Sequence, residues 1–561
     1  MQPPVLLQDL LWASARHNPQ ALAVTQSGPA ALQGAQVQHC SYGQLAQNVA
    51  QFASGLVGLE LQRGDRVGIY LEKRLEAVIA SFGTAAAGLC FVPINPLLKP
   101  EQVAYILRDC NVRLLLTSPE RLTSLAGSLS DCADLDFVAL TDAVAVKAFN
   151  AEIGGKPVLS WASLQQAGST TGHRVIDSDM AAILYTSGST GHPKGVVLSH
   201  RNLVAGAQSV ASYLENGPND VLLAALPLSF DAGFSQLTTA FSAGARVVLL
   251  NYLLPRDVLK TMERENVTGL TAVPPLYMQL VSQSWPEKIN QSLRYFANTG
   301  GHMPLETLKQ IRRQVPNAKP YLMYGLTEAF RSTYLPPDQV DLRPDSMGKA
   351  IPNAEILVLR EDGSECAANE PGELVHRGAL VAQGYWNDPQ KTAERFKPLP
   401  AAARHASSSN PTEAKMPSSG LQLPELAVFS GDTVRRDAEG FLYFVARRDD
   451  MIKTSGYRVS PLEIEEVLYA SALVTECVAF GVPHAQLGQV IQVVASGRHA
   501  AEPGSESSQL LALCKARLPA YMVPAGLTWS EQPLPRNANG KLDRGLIAQQ
   551  RSVQLQKGKA P

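Results

Sequence analysis

The most informative stretch of this chain reads Tyr185-Thr186-Ser187-Gly188-Ser189-Thr190-Gly191-His192-Pro193-Lys194-Gly195. It follows an apolar run, Met180 to Leu184, that predicts a buried strand. Glycine lets a backbone turn tightly and approach a ligand closely, and successive backbone N–H groups in such a turn form a concavity that binds anions. The hydroxyl groups add donors, and Lys194 adds a mobile positive charge. The stretch therefore predicts a phosphate-binding loop, which implies a protein that handles a nucleotide.

The residues around Lys194 differ from the usual loop of nucleoside triphosphatases. That loop has glycine immediately before its lysine and Ser or Thr immediately after it. Here Pro193 precedes Lys194 and Gly195 follows it. The other interpretation is a flexible Gly/Ser-rich linker. We disfavour it because a linker rarely follows a strand and rarely carries Pro-Lys-Gly.

Composition and charge are those of an ordinary globular protein. The chain has 561 residues, enough for several hydrophobic cores, with 45% hydrophobic and 18% charged residues. Subtracting 50 Asp and Glu from 49 Lys and Arg gives a formal net charge of −1. Such a chain has no strong field to recruit nucleic acid or anionic lipid, so we expect no nucleic-acid partner.

Cysteine usage and hydropathy bear on where the protein acts. The seven cysteines are dispersed, without a Cys-x-x-Cys pair, at positions Cys40, Cys90, Cys110, Cys132, Cys366, Cys477 and Cys514. This pattern suits a reducing compartment better than a disulfide framework or a zinc site. The N-terminus shows no signal peptide, and no apolar run reaches the ~18 residues of a membrane span. We therefore expect a cytoplasmic protein without an integral membrane segment.

Strand-like and helix-like runs alternate over residues 1 to about 440. Arg66–Leu71 predicts a strand, and Glu72–Ala87, rich in Ala, Glu and Leu, predicts the helix that follows it. Further strands are predicted at Val112–Thr117, Val221–Leu226, Arg246–Leu250 and Val267–Ala272. This alternation implies a largely parallel sheet covered by helices. The predicted fold class is α/β, with a large N-terminal domain of parallel-rich sheets covered by helices.

Two changes in composition divide the chain. Residues 398–423 are poor in large apolar side chains and predict an exposed low-complexity insertion. A second boundary near Arg447-Arg448-Asp449-Asp450 predicts domains of residues 1–448 and 449–561. In the smaller domain, Ser460 and Pro461 predict the start of a helix, and strand-like runs follow. We therefore expect an α+β C-terminal domain.

Further short motifs follow the phosphate-binding loop in a fixed order. They are Leu226-Pro227-Leu228-Ser229-Phe230-Asp231, Asn298-Thr299-Gly300-Gly301, Met323-Tyr324-Gly325-Leu326-Thr327-Glu328, Ser430-Gly431-Asp432, Arg447 to Arg458, and Asn539-Gly540-Lys541-Leu542-Asp543-Arg544. This ordered set resembles the adenylate-forming superfamily of acyl-CoA synthetases, amino-acid-activating domains of non-ribosomal peptide synthesis, and luciferases. The resemblance covers nearly the whole chain. Tyr324–Leu335 and Arg435–Asp437 also resemble bacterial acyl-CoA ligases associated with exopolysaccharide and exosortase systems.

The resemblance implies a reaction in two steps. A carboxylate attacks the α-phosphate of ATP, which gives an acyl-adenylate and pyrophosphate. A thiol, on CoA or on the phosphopantetheine arm of a carrier protein, then displaces AMP. The cofactors implied are ATP and Mg²⁺, with CoA or phosphopantetheine as the second substrate.

The same resemblance assigns residues to the phosphates and the metal. It implies that the β- and γ-phosphates bind Thr186, Ser187, Gly188, Ser189, Thr190, Gly191 and Lys194. Thr327 and Glu328 are expected to touch the α-phosphate and to hold Mg²⁺ through Glu328, because a carboxylate suits a hard cation that keeps several waters. The alternative for Glu328 on its own is a surface loop acid.

Another group of residues is expected to hold the nucleoside. The resemblance implies that Tyr324 offers its ring to adenine, with Gly325 following it and with Gly300 and Gly301 leaving room on the other side. Asp432 is expected to accept from both ribose hydroxyls, and Arg447 is expected to join it. The alternative for Tyr324 is ordinary core packing.

The C-terminal domain is expected to move during the cycle. Lys541 matches the family's catalytic lysine, a cation that offsets the repulsion between carboxylate and α-phosphate; on residues alone it would be a solvated turn. Asp449 resembles the hinge about which this domain rotates. Rotation would replace Lys541 with the segment from Lys453 to Arg458, and Gly456 would line the pantetheine tunnel.

Two residues are expected to bear on the acid. Asp231 stands where amino-acid-activating members carry an aspartate that pairs with the substrate's α-amino group; the alternative is the N-cap of a helix over Ala232–Ala243. Arg331 either enters the acid pocket, where it could bind a second carboxylate or a polar group, or lies on the surface. The substrate is thus a small carboxylic acid or an amino acid.

Four functions remain open on the sequence. The first is an AMP-forming acid–thiol ligase of the acyl-CoA synthetase type. The second is a free-standing amino-acid-activating enzyme that loads a separate carrier protein. A non-catalytic nucleotide-binding or scaffold protein is disfavoured because Lys194, Glu328 and Lys541 are all present. A luciferase-like oxidative role remains compatible with the fold, since fold does not fix function.

Overall fold

A computed structural model gives the fold of most of the chain. It describes residues 3–27, 37–142, 146, 149, 152–166, 171–186, 193–400, 403, 425–447, 450–454, 457–471, 473–484, 487–498, 505–537 and 540–557. Most of the expected insertion at 398–423 therefore lies outside the described residues, as does the expected hinge, Asp449.

The first of two nine-stranded sheets has a parallel centre and antiparallel edges. Its central neighbours pair in parallel because helices connect them, as the alternating sequence predicts. In spatial order its strands are β17 (Lys349–Ala350), β16 (Thr333–Leu335), β15 (Lys319–Tyr324), β14 (Tyr295–Asn298), β13 (Gly269–Ala272), β11 (Val221–Ala224), β12 (Arg246–Leu250), β1 (Leu22–Ser27) and β2 (Gln38–Ser41).

The second nine-stranded sheet holds the predicted phosphate-binding region. Its strand β9 continues the apolar run that begins at Met180, and β9 pairs with β10 in an antiparallel hairpin. In spatial order the strands are β20 (Gly384–Tyr385), β10 (Lys194–Ser199), β9 (Met180–Thr186), β4 (Cys90–Pro93), β3 (Arg66–Tyr70), β5 (Val112–Thr117), β6 (Phe137–Leu140), β8 (Lys156–Ser160) and β7 (Glu152–Ile153).

Helices cover both faces of both sheets. Alternate strand residues enter different cores: Leu222 packs with the helices between the two sheets, whereas Leu223 packs with those on the outer face. The helices are α1 (Leu7–His17), α2 (Tyr42–Gly58), α3 (Leu75–Ala87), α4 (Pro100–Asp109), α5 (Pro119–Leu125), α6 (Trp161–Gln165), α7 (His200–Tyr213), α8 (Asp231–Ala243), α9 (Pro255–Glu265), α10 (Pro274–Leu280), α11 (Glu287–Ser292), α12 (Leu305–Gln314) and α13 (Pro389–Arg395).

The layers of the larger unit follow from these cores. Helices α2, α3, α7 and α8 share one core with residues of both sheets and so lie between them. Helices α9 to α12 cover the outer face of the first sheet, and α4 and α5 cover that of the second. The predicted α/β class with helix-covered, parallel-rich sheets is confirmed.

A third sheet, which is wholly antiparallel, ends the larger unit. The sequence did not predict it, because its longest strand follows the low-complexity segment and its strands are joined by turns rather than by helices. Its order is β18 (Ala354–Leu359), β19 (Gly372–Gly378), β22 (Leu426–Arg436) and β21 (Phe396–Pro398), with β23 (Leu442–Arg447) paired to β22.

The C-terminal unit combines a five-stranded sheet with helices, as expected for an α+β fold. It has its own core, in which Ile464 and Leu468 of the first helix pack on the sheet. The strands are β24 (Ile452–Thr454), β25 (Tyr457–Val459), β26 (Val474–His484), β27 (Gly488–Gly497) and β28 (Gly526–Trp529), and the helices are α14 (Pro461–Tyr469), α15 (Glu506–Arg517) and α16 (Arg544–Lys557).

Among the described residues, side chains of this unit contact the larger one near the edge of the first sheet. His302 Nε2 lies 2.5 Å from Glu466 Oε1 of α14, and Ser460 Oγ donates to the Val445 carbonyl. Ser460 is the N-cap residue of α14 as predicted, but its hydroxyl makes this contact between units instead of capping the helix.

A membrane span is not found among the helices of the described residues, none of which is both long and apolar enough.

Candidate active site

The predicted site residues gather at one edge of the first sheet. Parallel strands β11, β13, β14 and β15 end there, at Ala224, Ala272, Asn298 and Tyr324. The loops that follow their carboxyl ends carry most of the short motifs, and crevices at this edge are where open α/β sheets bind ligands. The C-terminal unit closes over the same edge.

Lys541 reaches this edge from the C-terminal unit. A Cβ built on Gly300 would lie 3.4 Å from Lys541 Cε and 3.8 Å from its Nζ, and Gly300 has a φ of +74°. Any side chain at position 300 would therefore be strained by its φ, and its Cβ would lie in van der Waals contact with the lysine. Lys541 remains accessible to solvent within the cleft, although protein atoms surround its ammonium group.

A short turn holds Lys541 in place. The N–H of Asn537 donates to the Lys541 carbonyl over 2.8 Å, and Arg536 and Leu542 form an antiparallel bridge across the turn. Arg536 in turn contacts Glu476 of β26. Burial lowers the pKa of Lys541, with the positive charge of Arg447 acting in the same direction and the carboxylates of Asp231 and Asp432 opposing it.

Cations converge near the predicted phosphate-binding loop. Thr186 and Lys194 face each other in the β9–β10 hairpin. The pKa of Lys194 is lowered by burial and by the neighbouring positive charges of Lys391 and Arg395. These three cations therefore lie close to one another. Such a cluster is suited to a polyphosphate.

The carboxylate of Glu328 lies beside these cations. It sits on a 3₁₀ turn over Thr327–Ala329, and its Oε1 accepts a 2.6 Å hydrogen bond from the Tyr385 hydroxyl. Burial, followed by the charge of Glu328, raises the pKa of Tyr385, so the phenol stays a donor. The hydrogen bond leaves Oε2 of Glu328 available to a cation.

The donor set fits Mg²⁺ only in company with a polyphosphate. Within the described part of the chain, no group of three or more His, Cys, Asp or Glu residues could hold a metal by itself. Mg²⁺ commonly binds through one or two carboxylates together with substrate phosphates. One carboxylate beside a cationic cluster matches that mode.

Tyr324, Asp432 and Arg447 form one hydrogen-bonded group. The Tyr324 hydroxyl donates to Oδ2 of Asp432, and Arg447 Nε lies 3.4 Å from Oδ1 of the same carboxylate. Burial raises the pKa of Asp432, and the charge of Arg447 opposes the increase. The structure thus brings together three of the residues expected around the nucleoside.

An unusual turn precedes Arg331. The backbone of Phe330 has φ +54° and ψ −44°, and the N–H of Arg331 donates to the Ala329 carbonyl over 2.5 Å. This is the rare, strained γ-turn. Phe330 itself is fully buried, and its ring lies where a Cβ on Gly206 would come within 2.4 Å. Packing of the ring therefore holds the strained turn that directs Arg331 inward.

Arg331 and Asp231 form an ion pair near Lys541. Arg331 Nη1 lies 3.4 Å from Asp231 Oδ2, with only 3% of the arginine side chain exposed. The surface alternative for Arg331 is thus wrong. Asp231 is the first residue of α8 and Phe230 occupies the cap position, so the N-cap alternative for Asp231 is wrong as well.

Some expected site residues cannot be placed. Ser187, Gly188, Ser189, Thr190, Gly191, Asp449 and Gly456 lie outside the described residues. Lys453 lies in β24, but its side chain is not described. Gly301 accepts a hydrogen bond from Asn298 Nδ2 through its carbonyl, and Gly325 packs against Arg331.

Sequence reasoning missed four residues of this site: Tyr385, Lys391, Arg395 and Phe330. Lys391 and Arg395 lie on α13, some 200 residues after Lys194, and a surface helix with basic residues gives no sign of its neighbours. The positive φ of Phe330 has no signal in the residue type, since aromatic residues rarely adopt it.

Comparisons with known proteins agree with this arrangement. A family model described as AMP-binding enzyme matches residues 11–386, and one described as AMP-binding enzyme C-terminal domain matches residues 463–541. The chain is 30% identical over 523 residues to the L-proline--[L-prolyl-carrier protein] ligase of Streptomyces coelicolor, covering 90% of each protein. It is 28% identical over 537 residues to the long-chain-fatty-acid--CoA ligase of Salmonella typhimurium, covering 90% of this chain and 89% of that one.

Other relatives are much longer than this chain. It is 29% identical over 510 residues to a linear gramicidin synthase of Brevibacillus parabrevis, but the match covers 90% of this chain and 9% of that protein.

Solved structures share the fold over nearly its whole length. The o-succinylbenzoate CoA synthetase of Bacillus subtilis with its acyl-adenylate intermediate has a TM-score of 0.75 at 25% identity, covering 97% of this chain and 98% of that one. The same synthetase with ATP and a magnesium ion has a TM-score of 0.73 at 25% identity, covering 95% and 98%.

Proposed function

Because this chain belongs to the AMP-binding enzyme family, we propose that it is an AMP-forming acid–thiol ligase of the acyl-CoA synthetase type. It activates a carboxylic acid with ATP as an acyl-adenylate and then passes the acyl group to a thiol. The observation that carries the proposal is the position of Lys541, beside Gly300 at the edge where the motif-bearing loops meet. Membership confirms the resemblance found in the sequence.

Adenylation requires two anions to approach each other. The acid's carboxylate and the α-phosphate repel, and a fixed cation between them offsets that repulsion as charge develops in the transition state. Lys541 supplies the cation, from a turn fixed by Asn537 and Arg536. Its pKa is lowered by burial of its ammonium group and by the charge of Arg447, while the side chain stays accessible to an incoming anion.

The remaining residues hold the nucleotide for this step. Lys194, Lys391 and Arg395 bind the β- and γ-phosphates, so that the charge of the leaving pyrophosphate is already offset. Glu328, oriented by Tyr385, would hold Mg²⁺, with Thr327 beside it, and the ion would supply Lewis-acid stabilisation of phosphoryl oxygens. Asp432 binds the ribose with Arg447, and Tyr324 lies against the adenine. The o-succinylbenzoate CoA synthetase solved in complex with ATP and a magnesium ion supports the choice of these two ligands.

Thiol transfer needs a different arrangement of the C-terminal unit. We propose that residues 449–561 form a mobile domain that rotates about Asp449, withdraws Lys541 and brings the Lys453–Arg458 segment to the site, with Gly456 lining the path of the thiol. The contacts described between the two units include polar ones, His302 with Glu466 and Ser460 with Val445, which can open and re-form. Relative motion is the default expectation for domains joined by modest interfaces.

The thiol acceptor is CoA or the pantetheine arm of a separate carrier protein. Each of these two acceptors appears in the name of a relative of similar length. One relative is a long-chain-fatty-acid–CoA ligase, and another is a prolyl-carrier protein ligase. The seven cysteines are buried and unpaired, which supports a reducing compartment, and we propose that the enzyme acts in the cytoplasm. The alternative function is a free-standing amino-acid-activating enzyme that loads a carrier protein.

An exchange assay tests the proposal. Full-length protein with Mg²⁺ and ATP is incubated with labelled pyrophosphate and a panel of fatty, aryl, hydroxy and amino acids, and label in ATP is measured. We expect exchange that depends on an acid, and AMP release when CoA is added. Exchange with amino acids alone would favour the carrier-loading alternative, and no exchange with any acid would refute the ligase function.

A further inference from the structure

We propose that Lys73 is a positioning residue for the acid. Its side-chain nitrogen, on the turn between β3 and α3, holds the carboxyl end of β11 and so fixes the loop that leads to Asp231, one of the two residues expected to bear on the acid. The inference rests on the proposed function and deepens it, because it gives a role in acid binding to a residue outside the short motifs.

The turn between β3 and α3 reaches from the second sheet to the first. Lys73 lies three residues after Tyr70, the last residue of β3. The N–H of Lys73 donates to Asn251 Oδ1 over 3.2 Å, and Asn251 Nδ2 donates to the Lys73 carbonyl over 2.8 Å. Asn251 directly follows β12 of the first sheet. One amide side chain of the first sheet therefore holds both backbone polar groups of Lys73.

A second hydrogen bond fixes the same turn. The N–H of Leu75, the first residue of α3, donates to Gln26 Oε1 of β1 over 2.8 Å. Strands β11, β12 and β1 are neighbours in the first sheet. The turn is thus bonded to two of these strands through its backbone, which limits where the side chain of Lys73 can reach.

The side chain of Lys73 contacts the third of these strands, β11. Its Nζ donates to the carbonyl of Ala225 over 2.8 Å. Ala225 directly follows β11, and Lys73 and Ala225 are only 8% and 2% exposed. The N–H of Ala225 donates to the Leu223 carbonyl over 3.1 Å, which closes a tight turn. A buried carbonyl that loses its donor is costly, so Lys73 fixes the point at which the chain leaves β11.

Close packing connects this point to Asp231, six residues further along the chain. A Cβ built on Gly233, in the first turn of α8, would lie 1.7 Å from the Pro227 carbonyl oxygen. The loop and the helix therefore touch with no space between them. A shift of the chain at Ala225 would move the first turn of α8, and with it Asp231 and its pairing with Arg331 over 3.4 Å.

Stability alone does not account for a lysine at this position. Burial lowers the pKa of Lys73 to about 7, and no charged neighbour among the described residues contributes to that shift. A buried cation without a counter-ion disfavours the folded state, whereas an apolar side chain of similar length does not. What the lysine supplies here is an N–H donor for the Ala225 carbonyl.

Substitution of the lysine in the full-length enzyme tests this role. Lys73→Met keeps the length of the side chain and removes the donor. In the exchange assay, with the acid of the panel that the parent enzyme uses fastest, we expect KM for the acid to rise at least about fivefold. KM for ATP should change less than about twofold, because the residues proposed to hold the nucleotide lie on other loops. The melting temperature should stay within about 3 °C of the parent's, since a buried charge is removed together with the bond.

Thr117→Val is the matched control. The Thr117 hydroxyl donates to the Tyr70 carbonyl over 3.1 Å at the same end of β3, and the residue is fully buried. Both residues belong to the second sheet, so the loss of this bond should leave both KM values as they are in the parent enzyme.

The outcomes separate this inference from the proposed function. Folded Lys73→Met with an unchanged KM for the acid, or with equal rises in both KM values, would overturn the inference and leave the ligase function intact. Failure of Lys73→Met to fold would also overturn it, because the lysine would then serve stability. No exchange with any acid in the parent enzyme would refute the ligase function itself.

Discussion

Phe330 shows how one backbone conformation controls the chemistry of its neighbours. Its strained γ-turn separates Glu328, which lies beside the cations, from Arg331, which pairs with Asp231. An ordinary turn would send one of these side chains elsewhere. The strain of an unfavourable φ costs of order 1 to 3 kcal/mol, and burial of the ring against α7 offsets it.

Gly206→Ala tests that anchoring. A Cβ at this position would lie 2.4 Å from Phe330 Cδ1, so the ring must move and the turn with it. Overpacking costs about 1 to 3 kcal/mol, partly offset by the higher helix propensity of alanine. We expect KM for the acid to rise at least about tenfold while KM for ATP changes less than about twofold, as measured by exchange kinetics.

Gly127→Ala serves as the control for this substitution, because a Cβ there meets nothing within 4 Å. Its KM values should match those of the parent protein. An unchanged KM for the acid in folded Gly206→Ala would show that the ring does not position Arg331.

Some single residues of the site could be predicted and others could not. Asp231 and Arg331 were expected near the acid because they sit in or beside recognisable motifs, and the structure pairs them. That they neutralise each other could not be predicted, since 100 residues separate them and only the fold sets their distance. For the same reason, Lys391 and Arg395 had no local signal.

At the scale of elements, strands were predicted more accurately than helix ends. Val112–Thr117 and Arg246–Leu250 match their predicted bounds because strands buried on both faces read as continuous apolar runs. The helix predicted from Glu72 begins only at Leu75. The N–H and carbonyl of Lys73 bond the side chain of Asn251, which holds that residue out of the helix, and no local pattern reveals such a partner.

The attachment of α1 depends on a neutral histidine. The N–H of Leu7, the first residue of α1, donates to Nδ1 of His200, the first residue of α7, over 3.1 Å. Burial lowers the pKa of His200 to about 4, with Asp179, Asp9 and Asp177 opposing the shift. Protonation would turn the acceptor into a donor and break this contact.

We therefore expect protonation of His200 to lower the free energy of unfolding at acid pH. The folded pKa lies below the value near 6.5 of an unfolded histidine, so the unfolded state binds more protons between the two. The contribution of neutral His200 to the free energy of unfolding is complete above pH ~6.5. It decreases by on the order of 3 kcal/mol as pH falls toward about 4. Urea unfolding between pH 4.5 and 7.5 measures this slope.

His200→Asn is the matched variant for the pH experiment, because an amide oxygen can accept from Leu7 without titrating. Its unfolding free energy should depend less on pH than that of the parent chain. The remaining slope would include His376, whose pKa is lowered to about 3 by burial. Identical slopes in both proteins would contradict the role given to His200.

At the scale of the whole molecule, the proposed mechanism depends on the position of the C-terminal unit. Lys541 contacts the larger unit at Gly300, while His302 of the same loop pairs with Glu466. The sequence predicted this meeting only through family resemblance. Composition alone would leave Lys541 in a solvated turn, because nothing local shows that residues 241 positions apart lie close together.

Lys541→Ala should separate the two half-reactions. Removing a cation from the transition state of adenylation typically costs about 10²–10³ in rate, so pyrophosphate exchange should fall by that factor. Thiolysis of a supplied acyl-adenylate should change less than about threefold, since the lysine is proposed to be withdrawn for that step. Stopped-flow or quenched assays of each half-reaction provide the measurement, and equal loss in both would count against the assignment.

The closeness of Lys541 to Gly300 also has a kinetic consequence. In this position the turn that carries Lys541 lies at the edge where the proposed site is, so we expect acid and nucleotide to enter before the turn settles there. Under the proposed rotation, the thiol follows after the smaller unit has withdrawn and pyrophosphate has left. We therefore expect an ordered addition, in which the last substrate binds after the first product has gone.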